Sequence, residues 1–347
     1  MRFYTGTHQY YCGIDLHAKQ MYTCVIDNNG NKLMHRNLKT DKQAFLKAIA
    51  PYRDDLVVSA ECMFAWYWLA DLCRSEKIPF VLGHALFMKA ISAAKHKSDK
   101  IDAHKIARML RGGMMPIAYV YPEHMRATRD LLRRRTYLVR QRAERSAHIH
   151  MTVDQYNLEP LGIRLDRKSN RHGVAEHFPE GPIRMSIQTD LAVIDAFDEQ
   201  INELETYILE TVRVDDKQAL YLLKSIDGVG DILAMTMIYE IHDIDRFPRA
   251  QDFVSYCRLA AGQNISAGKK KGSKARKMGN AHLKWAFSQA ASLMIRSQEK
   301  VKDMVEHDTQ KYGKPGAMRR LSQKLCRTTY YMMKNRKLFD QERFIRA

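Results

Sequence analysis

Short apolar segments separated by polar turns fill the first 120 residues, a pattern typical of β-strands. Five segments carry it: residues 10–15, 21–27, 32–38, 56–61 and 79–84. The second and third flank the polar turn at 28–31, which predicts a β-hairpin. The first and the fourth end in acidic residues, Asp15 and Glu61. A buried strand that ends in an acid delivers a functional group to the edge of a sheet.

Three of these predicted strands are followed by segments whose apolar residues have the spacing of a helix. Helices are predicted over residues 41–50 and 65–76, and a third begins near Asp99. In the third helix Asp99 and Asp102 share one face. Its apolar side chains are expected to point toward a core: Ile101, Ile106 and Leu110. The order β-β-β-α-β-α-β-α is that of the ribonuclease-H-like fold.

Residues 122–155 form a basic helical pattern, and residues 185–212 form a second one whose polar positions are acidic. The segment 157–182 between them is rich in Gly and Pro and predicts a loop or small insertion. The two helices could pair as an antiparallel coiled-coil arm or a dimerisation element, or simply pack into a core. On the basic helix the candidate nucleic-acid contacts are Arg133, Arg134 and Arg135.

Gly228 and Gly230 belong to a G-V-G turn between two apolar helical segments. This pattern resembles a helix-hairpin-helix, in which backbone N–H groups at a helix start hold a phosphate. A purely structural tight turn is the alternative.

Charge strengthens the expectation of a polyanionic partner. The 347 residues carry a formal net charge of +18, and residues 251–347 hold 22 basic side chains against 7 acidic ones. A basic run there predicts a phosphate-contacting loop: Lys269, Lys270, Lys271, Lys274, Arg276 and Lys277. A solvated tail is the alternative. With 45% hydrophobic and 28% charged residues, the composition excludes wholesale disorder and collagen-like architectures.

The six cysteines lie apart from one another, without a C-x-x-C pair, and predict free thiols rather than a zinc site or a disulfide framework. The N-terminus lacks the apolar core of a signal peptide, and no stretch reaches the length of a membrane span. We therefore expect a cytoplasmic, nucleoid-associated protein with no membrane partner.

Four acidic residues form the candidate metal site: Asp15, Glu61, Asp99 and Asp102. Magnesium prefers oxygen ligands, so four carboxylates can hold one or two Mg²⁺ ions, the arrangement that serves phosphoryl transfer. The neighbouring Lys97 and Lys100 would contact phosphate. Taken singly, each acid has a structural alternative as a turn residue or a helix cap.

Ser266 lies in a Gly-containing loop just before the basic run. A serine beside clustered cations is suited to attack on phosphorus, because positive charge stabilises the alkoxide and the transition state. By its local chemistry alone, a turn serine is the stronger interpretation.

Several motifs coincide with one family. They are G-I-D-L-H-A-K, S-A-E-C, K-S-D-K-I-D-A, I-D-G-V-G, G-Q-N-I-S-A-G-K-K and K-M-G-N-A-H-L-K. With them the chain resembles the DEDD-type insertion-sequence transposases, a group that includes bridge-RNA-guided recombinases and Piv-type DNA invertases. The resemblance covers nearly the whole chain. One departure is Ala267, where the family commonly has glycine.

The resemblance implies a RuvC-like α/β catalytic domain over residues 1–120, a helical, coiled-coil-like arm over 121–215 and a mainly α-helical transposase domain over 216–347. It makes the four acids a magnesium-binding tetrad and Ser266 a nucleophile that forms a phosphoserine link to DNA in a composite site. A structured guide RNA would pair with target and donor DNA. Synapsis of two duplexes implies a homodimer or homotetramer.

Three other functions remain open at this point. A site-specific DNA invertase would use the same chemistry on a chromosomal segment. A metal-dependent junction nuclease would hydrolyse DNA with the acids alone and would not need Ser266. A non-catalytic nucleic-acid-binding protein would bind DNA without cleaving it, although the presence of all four acids argues against it.

Overall fold

A computed structural model describes residues 2–91, 99–212, 214–260, 265–266, 269–270 and 278–346. The chain divides into two compact units, Met1–His124 and Met125–Ala347. The first unit is a mixed α/β layer structure, and the second is mostly helical, as the sequence predicts.

A five-stranded sheet forms the centre of the first unit. Its strands are β1 (Tyr10–Leu16), β2 (Gln20–Asp27), β3 (Lys32–Lys39), β4 (Leu56–Glu61) and β5 (Phe80–Gly83). The spatial order is β3-β2-β1-β4-β5, with β1 antiparallel to β2 and parallel to β4, and β4 parallel to β5. The predicted hairpin and all five predicted strands are therefore confirmed.

Helices cover both faces of this sheet. They are α1 (Lys42–Ile49), α2 (Trp66–Ser75), α3 (Ala85–Ile91) and α4 (Asp99–Arg111). Because β1 is buried on both sides, Tyr11 packs with one cluster and Ile14 with another. Gly13 lets α4 approach β1 closely, since a Cβ there would lie 2.3 Å from the carbonyl oxygen of Ala103 and from the amide nitrogen of Ala107.

Two expectations for this unit need correction. Helix α3 was not predicted. Ile101 was expected to face the core but is 43% exposed, whereas Ile106 and Leu110 are buried. At about 100° per residue, position 101 lies roughly 140° around α4 from position 106, so it faces away from the sheet.

The second unit begins with the long helices α5 (Glu123–Gln155) and α6 (Pro182–Thr211). Three ion pairs join them: Arg135 with Glu205, Arg142 with Asp198, and His148 with Asp190. Residue numbers rise along one helix as they fall along the other, so the helices are antiparallel. The basic helix and the acidic helix thus pair within the chain, and α6 buries isoleucines seven residues apart: Ile187, Ile194, Ile201 and Ile208.

The segment between α5 and α6 is a folded cap on the helix pair rather than an irregular loop. It contains two 3-10 turns, at Lys168–Asn170 and Ala175–His177. Its apolar side chains pack against both helices: Leu165, Val174 and Phe178. The guanidinium of Arg171, only 5% exposed, pairs with Asp195 and Asp198 of α6.

The remaining helices build the largest core of the molecule. They are α7 (Lys217–Lys224), α8 (Asp231–Ile241), α9 (Ala250–Tyr256), α10 (Ala281–Ser297), α11 (Glu299–Asn335) and α12 (Gln341–Arg346). The short strands β6 (Ile265–Ser266) and β7 (Lys269–Lys270) lie between α9 and α10. All six cysteines are free, as predicted. Among the helices described, none has the length and apolar character to cross a bilayer.

Helix α11 reverses direction at Gly313, where φ is +68°. Arg320 Nε lies 2.9 Å from Asp308 Oδ2, and Lys324 Nζ lies 3.6 Å from Met304 Sδ. In one straight helix, residues twelve positions apart would be about 18 Å apart. The two halves of α11 therefore form an antiparallel helical hairpin.

Arg171→Ala should destabilise the cap by about 2 kcal/mol, because it removes the guanidinium that pairs with Asp195 and leaves Asp198 with Arg142 alone. Hydrogen exchange of residues 158–194 measures the loss. The control is Arg164→Ala, since Arg164 is 64% exposed and pairs with Asp166 at the surface, and we expect its effect to stay within about 0.5 kcal/mol. Equal exchange in the two variants would contradict the assigned role of Arg171.

Candidate active site

Two candidate acids leave the sheet side by side. Strands β1 and β4 pair in parallel up to Ile14 and Ala60. Asp15 and Glu61 are the next residues of the two strands, so both carboxylates emerge at the same edge. Glu61 also pairs with Gly83 of β5, which places this edge in the parallel half of the sheet.

Helix α4 adds the other two acids, Asp99 and Asp102, in its first turn. Burial raises the pKa of Asp15; the hydrogen bond and charge of His17 oppose the rise, and the negative charges of Asp99 and Asp102 add to it. Three of the four predicted acids are therefore close enough to influence one another. The fourth, Glu61, reaches the same edge through the strand pairing.

His17 is a member of this group that sequence reasoning missed. Its Nε2 atom lies 3.3 Å from Asp15 Oδ2 and 3.8 Å from Asp99 Oδ1. The motif D-L-H carried the signal, because residues two apart on a strand point to the same face. Ligand atoms of Asp15, His17 and Asp99 all lie within 4.8 Å of one another.

This donor set fits a divalent cation. Carboxylate oxygens suit Mg²⁺, and an added imidazole nitrogen is a donor that transition ions such as Mn²⁺ also accept. The electrostatics agree, since neighbouring carboxylates raise the pKa of Asp15 and a bound cation would offset their repulsion. Asp102 is not one of these three residues, and one of its carboxylate oxygens lies 4.0 Å from Lys105 Nζ.

The predicted cationic contacts differ in their surroundings. Lys100 is exposed in the first turn of α4, while Lys97 lies outside the described residues. Arg133 pairs with Glu240, and Arg135 pairs with Glu205. Arg134, between them, is exposed, with its guanidinium 5.6 Å from the centre of the Tyr137 ring. Of the three arginines, Arg134 is thus the one without a carboxylate partner among the ion pairs the structure describes.

The two helical segments predicted on either side of the G-V-G turn are present as α7 and α8. Gly228 has φ +85°, and a Cβ there would lie 2.7 Å from Leu293 Cβ and 3.0 Å from the amide nitrogen of Met294. It therefore has a packing role against α10. Gly230 is the N-cap of α8, and a Cβ on it would meet no atom within 4 Å.

Ser266 lies in β6, directly opposite Lys269 of β7 in an antiparallel pair. Lys270 pairs with Ile265 in the same short ribbon. Four members of the predicted basic run lie outside the described residues: Lys271, Lys274, Arg276 and Lys277.

Asp15→Asn should weaken the binding of Mn²⁺, used as a visible substitute for Mg²⁺, by at least about tenfold, because it removes a charged ligand. Loss of the free-ion signal in electron paramagnetic resonance measures the binding. Asp54→Asn, which neutralises an exposed acid outside this cluster, serves as the control and should bind like the wild type. Equal affinity of the Asp15 and Asp54 variants would exclude this edge as the ion site.

Comparison with known proteins gives two family matches along the chain. Residues 12–158, which include all four acids, match a family model described as a transposase, of the DEDD type of the IS110 group. Residues 220–306, which include Ser266, match the transposase IS116/IS110/IS902 family. A curated relative, the transposase for insertion sequence element IS1328 of Yersinia enterocolitica, is 25% identical over 297 residues, which is 83% of this chain and 84% of the relative.

The two family models match in chain order, and the first of them spans the strands and the helix that carry the acidic edge. The relative aligns over most of both proteins. On these grounds the chain is a DNA transposase, and both matched segments are similar to transposases of the IS110 group.

Proposed function

We propose that this transposase cuts and rejoins DNA through a covalent phosphoserine link on Ser266, with magnesium held by Asp15, Glu61, Asp99 and Asp102 on a RuvC-like fold. The observation that carries the proposal is the convergence of the acids at the edge formed by β1, β4 and the start of α4. That edge has the donor chemistry that phosphoryl transfer requires.

In the first step the Ser266 hydroxyl oxygen forms a bond to a DNA phosphorus as the bond from phosphorus to the 3′ oxygen breaks. The serine loses its proton, and the leaving 3′ oxygen gains one. The phosphodiester bond is thus exchanged for a phosphoserine bond of similar energy. A 3′-hydroxyl of the partner strand can then attack the phosphoserine, and ligation needs no ATP.

The Ser266 hydroxyl depends on neighbouring groups for its activation as a nucleophile. A serine hydroxyl is a weak nucleophile at neutral pH and requires nearby positive charge or a base. Its strand partner is Lys269, and further lysines and an arginine follow in the sequence through Lys277. These cations would neutralise the phosphate and lower the cost of charge on the attacking oxygen.

The ions supply Lewis-acid stabilisation of the phosphate oxygens when bound. The chain's own contribution is to hold the donors in place. Asp15 and Glu61 are fixed by strand register, and Asp99 is fixed by the helix that packs on Gly13. His17 orients Asp15 through the contact at 3.3 Å.

We further propose that a structured guide RNA, encoded beside the gene, selects target and donor DNA. The net charge of +18 supplies affinity for nucleic-acid backbone without base recognition. If base pairing selects the DNA sequence, the protein needs to contact only the nucleic-acid backbone, for which a strongly basic chain is suited. Bringing two duplexes together calls for a homodimer or homotetramer.

Ser266→Ala should abolish covalent protein–DNA adducts in cells that carry the gene with its flanking noncoding DNA. Asp15→Asn should reduce them at least about a hundredfold, since the acids stabilise the same transfer. The control, Ser297→Ala, removes an exposed serine of α10 and should leave adduct formation unchanged. Adducts or strand cleavage at wild-type level in Ser266→Ala would support a junction nuclease instead.

RNA that stays bound to the protein during mild purification from the same cells tests the guide. We expect sequencing to recover one discrete transcript from the flanking DNA. A mixture of cellular RNAs would contradict guidance and attribute the charge to nonspecific affinity. In that case an invertible chromosomal segment beside the gene would point to the invertase function.

A further inference from the structure

The buried carboxylate of Glu240 connects helix α5 to the point where the two ends of the segment that carries Ser266 meet. Glu240 lies near the end of α8, and its side chain is 2% exposed. Arg129 Nε lies 3.1 Å from it, and Arg133 donates from Nε at 2.5 Å and from Nη2 at 2.9 Å. Both arginines belong to α5, the basic helix of the arm.

The Glu240 carboxylate is ionised in spite of its burial, because two arginines pair with it. Burial alone would raise the pKa of Glu240, but the hydrogen bond from Arg133 and the charges of Arg129 and Arg133 bring it down to about 2. Asn280 also contributes to this lowering. Glu240 is therefore negatively charged at any pH at which the protein works, and the arginines are held by full ionic hydrogen bonds.

Asn280 is a further partner of Glu240, and both the nitrogen and the oxygen of its side-chain amide make hydrogen bonds. Its Nδ2 atom donates to Glu240 Oε2 at 2.7 Å. Its Oδ1 atom accepts from the backbone amides of His282 at 2.9 Å and Leu283 at 3.0 Å. Asn280 thus caps the N-terminus of α10 and also binds Glu240. Because its Oδ1 atom is used in the cap, its Nδ2 atom faces the carboxylate.

Asn280 also helps to join the two ends of the Ser266 segment. Its backbone amide donates to the carbonyl oxygen of Tyr256 at 2.6 Å, at the end of α9. Arg258 Nε donates to the carbonyl oxygen of Gly279 at 2.8 Å. The chain thus leaves α9 and returns to α10 at the same point, with residues 259–278 between these contacts.

Gly279 is required for this closure. Its φ is +97°, and a Cβ on it would lie 2.4 Å from the carbonyl oxygen of Tyr256. No side chain fits at that approach, so the two ends of the segment meet backbone to backbone. The glycine and the asparagine stand together in the motif K-M-G-N-A-H-L-K.

We infer that Glu240 is a positioning residue. Through Asn280 it holds the two ends of the Ser266 segment against helix α5. The path is continuous: Arg129 and Arg133 of α5, the Glu240 carboxylate, the Asn280 amide, and the paired backbones of Tyr256 and Gly279. The functional part of this inference rests on the proposed role of Ser266. The structural part, that Asn280 links the two ends of the segment to Glu240, does not depend on that role.

Asn280→Ser separates the helix cap from the hydrogen bond to Glu240. A serine oxygen also caps a helix, but serine has no amide group to donate to Glu240. We expect α10 to stay folded and the melting temperature to change little. Backbone amides of residues 256–260 and 278–280 should exchange with deuterium at least about tenfold faster, in the absence of DNA and RNA. The matched control is Asn335→Ser, the same substitution at an exposed position near the end of α11, which should leave this exchange unchanged.

Glu240→Met, which is similar in size to glutamate but has no acceptor oxygen, cuts the same link from the other side. If the two residues act through one contact, the double variant should raise exchange no further than the stronger single variant does. Additive effects, or unchanged exchange in Asn280→Ser, would overturn the assigned link. Asn280→Asp, which keeps the cap but opposes Glu240 with a second negative charge, gives an independent check and should exchange fastest.

The functional readout is the rate at which covalent protein–DNA adducts form in cells that carry the gene with its flanking DNA. We expect Asn280→Ser to lower this rate by about 10- to 100-fold, the usual cost of a small misplacement of reacting groups, while the amount of DNA retained by the protein stays the same. Wild-type adduct formation despite faster exchange would contradict the positioning role. Adducts in Ser266→Ala would contradict the proposed nucleophile instead, so the two failures are distinguishable.

Discussion

The parallel pairing of β1 with β4 is the constraint on which the acidic edge depends. Because the register matches Ile14 with Ala60, the next residue of each strand is an acid, and the two carboxylates leave the sheet together. A shift of one residue would send one of them to the opposite face. The close approach of α4 at Gly13 then sets the distance from Asp15 to Asp99.

The second unit is organised by ion pairs that a basic helix makes with its neighbours. Helix α5 uses Arg135 and Arg142 to align α6 and uses Arg129 and Arg133 to hold Glu240. Much of its positive charge is therefore directed inward. The largest surplus of positive charge in the sequence lies elsewhere, in residues 251–347, which hold 22 basic side chains against 7 acidic ones. Net charge alone does not distinguish basic side chains that pair inside the fold from those that do not.

Much of the fold followed from local sequence signals. Short apolar segments and a polar turn were sufficient for the strands of the sheet. Opposite charges on two long helices suggested their pairing but left a dimerisation element and plain core packing open. Ile101 failed because its position around the helix, rather than its hydrophobicity, decides burial. The cap between α5 and α6 was missed because Gly and Pro mark breaks in helices but carry no information on how the broken segment packs around Arg171.

The candidate site was predictable to a different degree in each unit. The acids could be found because strand ends and helix starts are local features. His17 was overlooked although it stands in the same motif as Asp15. The contact of Glu240 with Asn280, 40 positions away, has no local signature. Ser266 was distinguished from an ordinary turn serine by resemblance alone, because its chemistry depends on groups distant in sequence.

The central claim is that one chain joins itself to DNA through Ser266, and mass spectrometry of the trapped protein–DNA complex tests it most directly. After digestion by nuclease and protease, the account predicts a nucleotide joined by a phosphate to the peptide that contains Ser266. A nucleotide on a different residue, or cleaved DNA with the protein entirely unmodified, would contradict it.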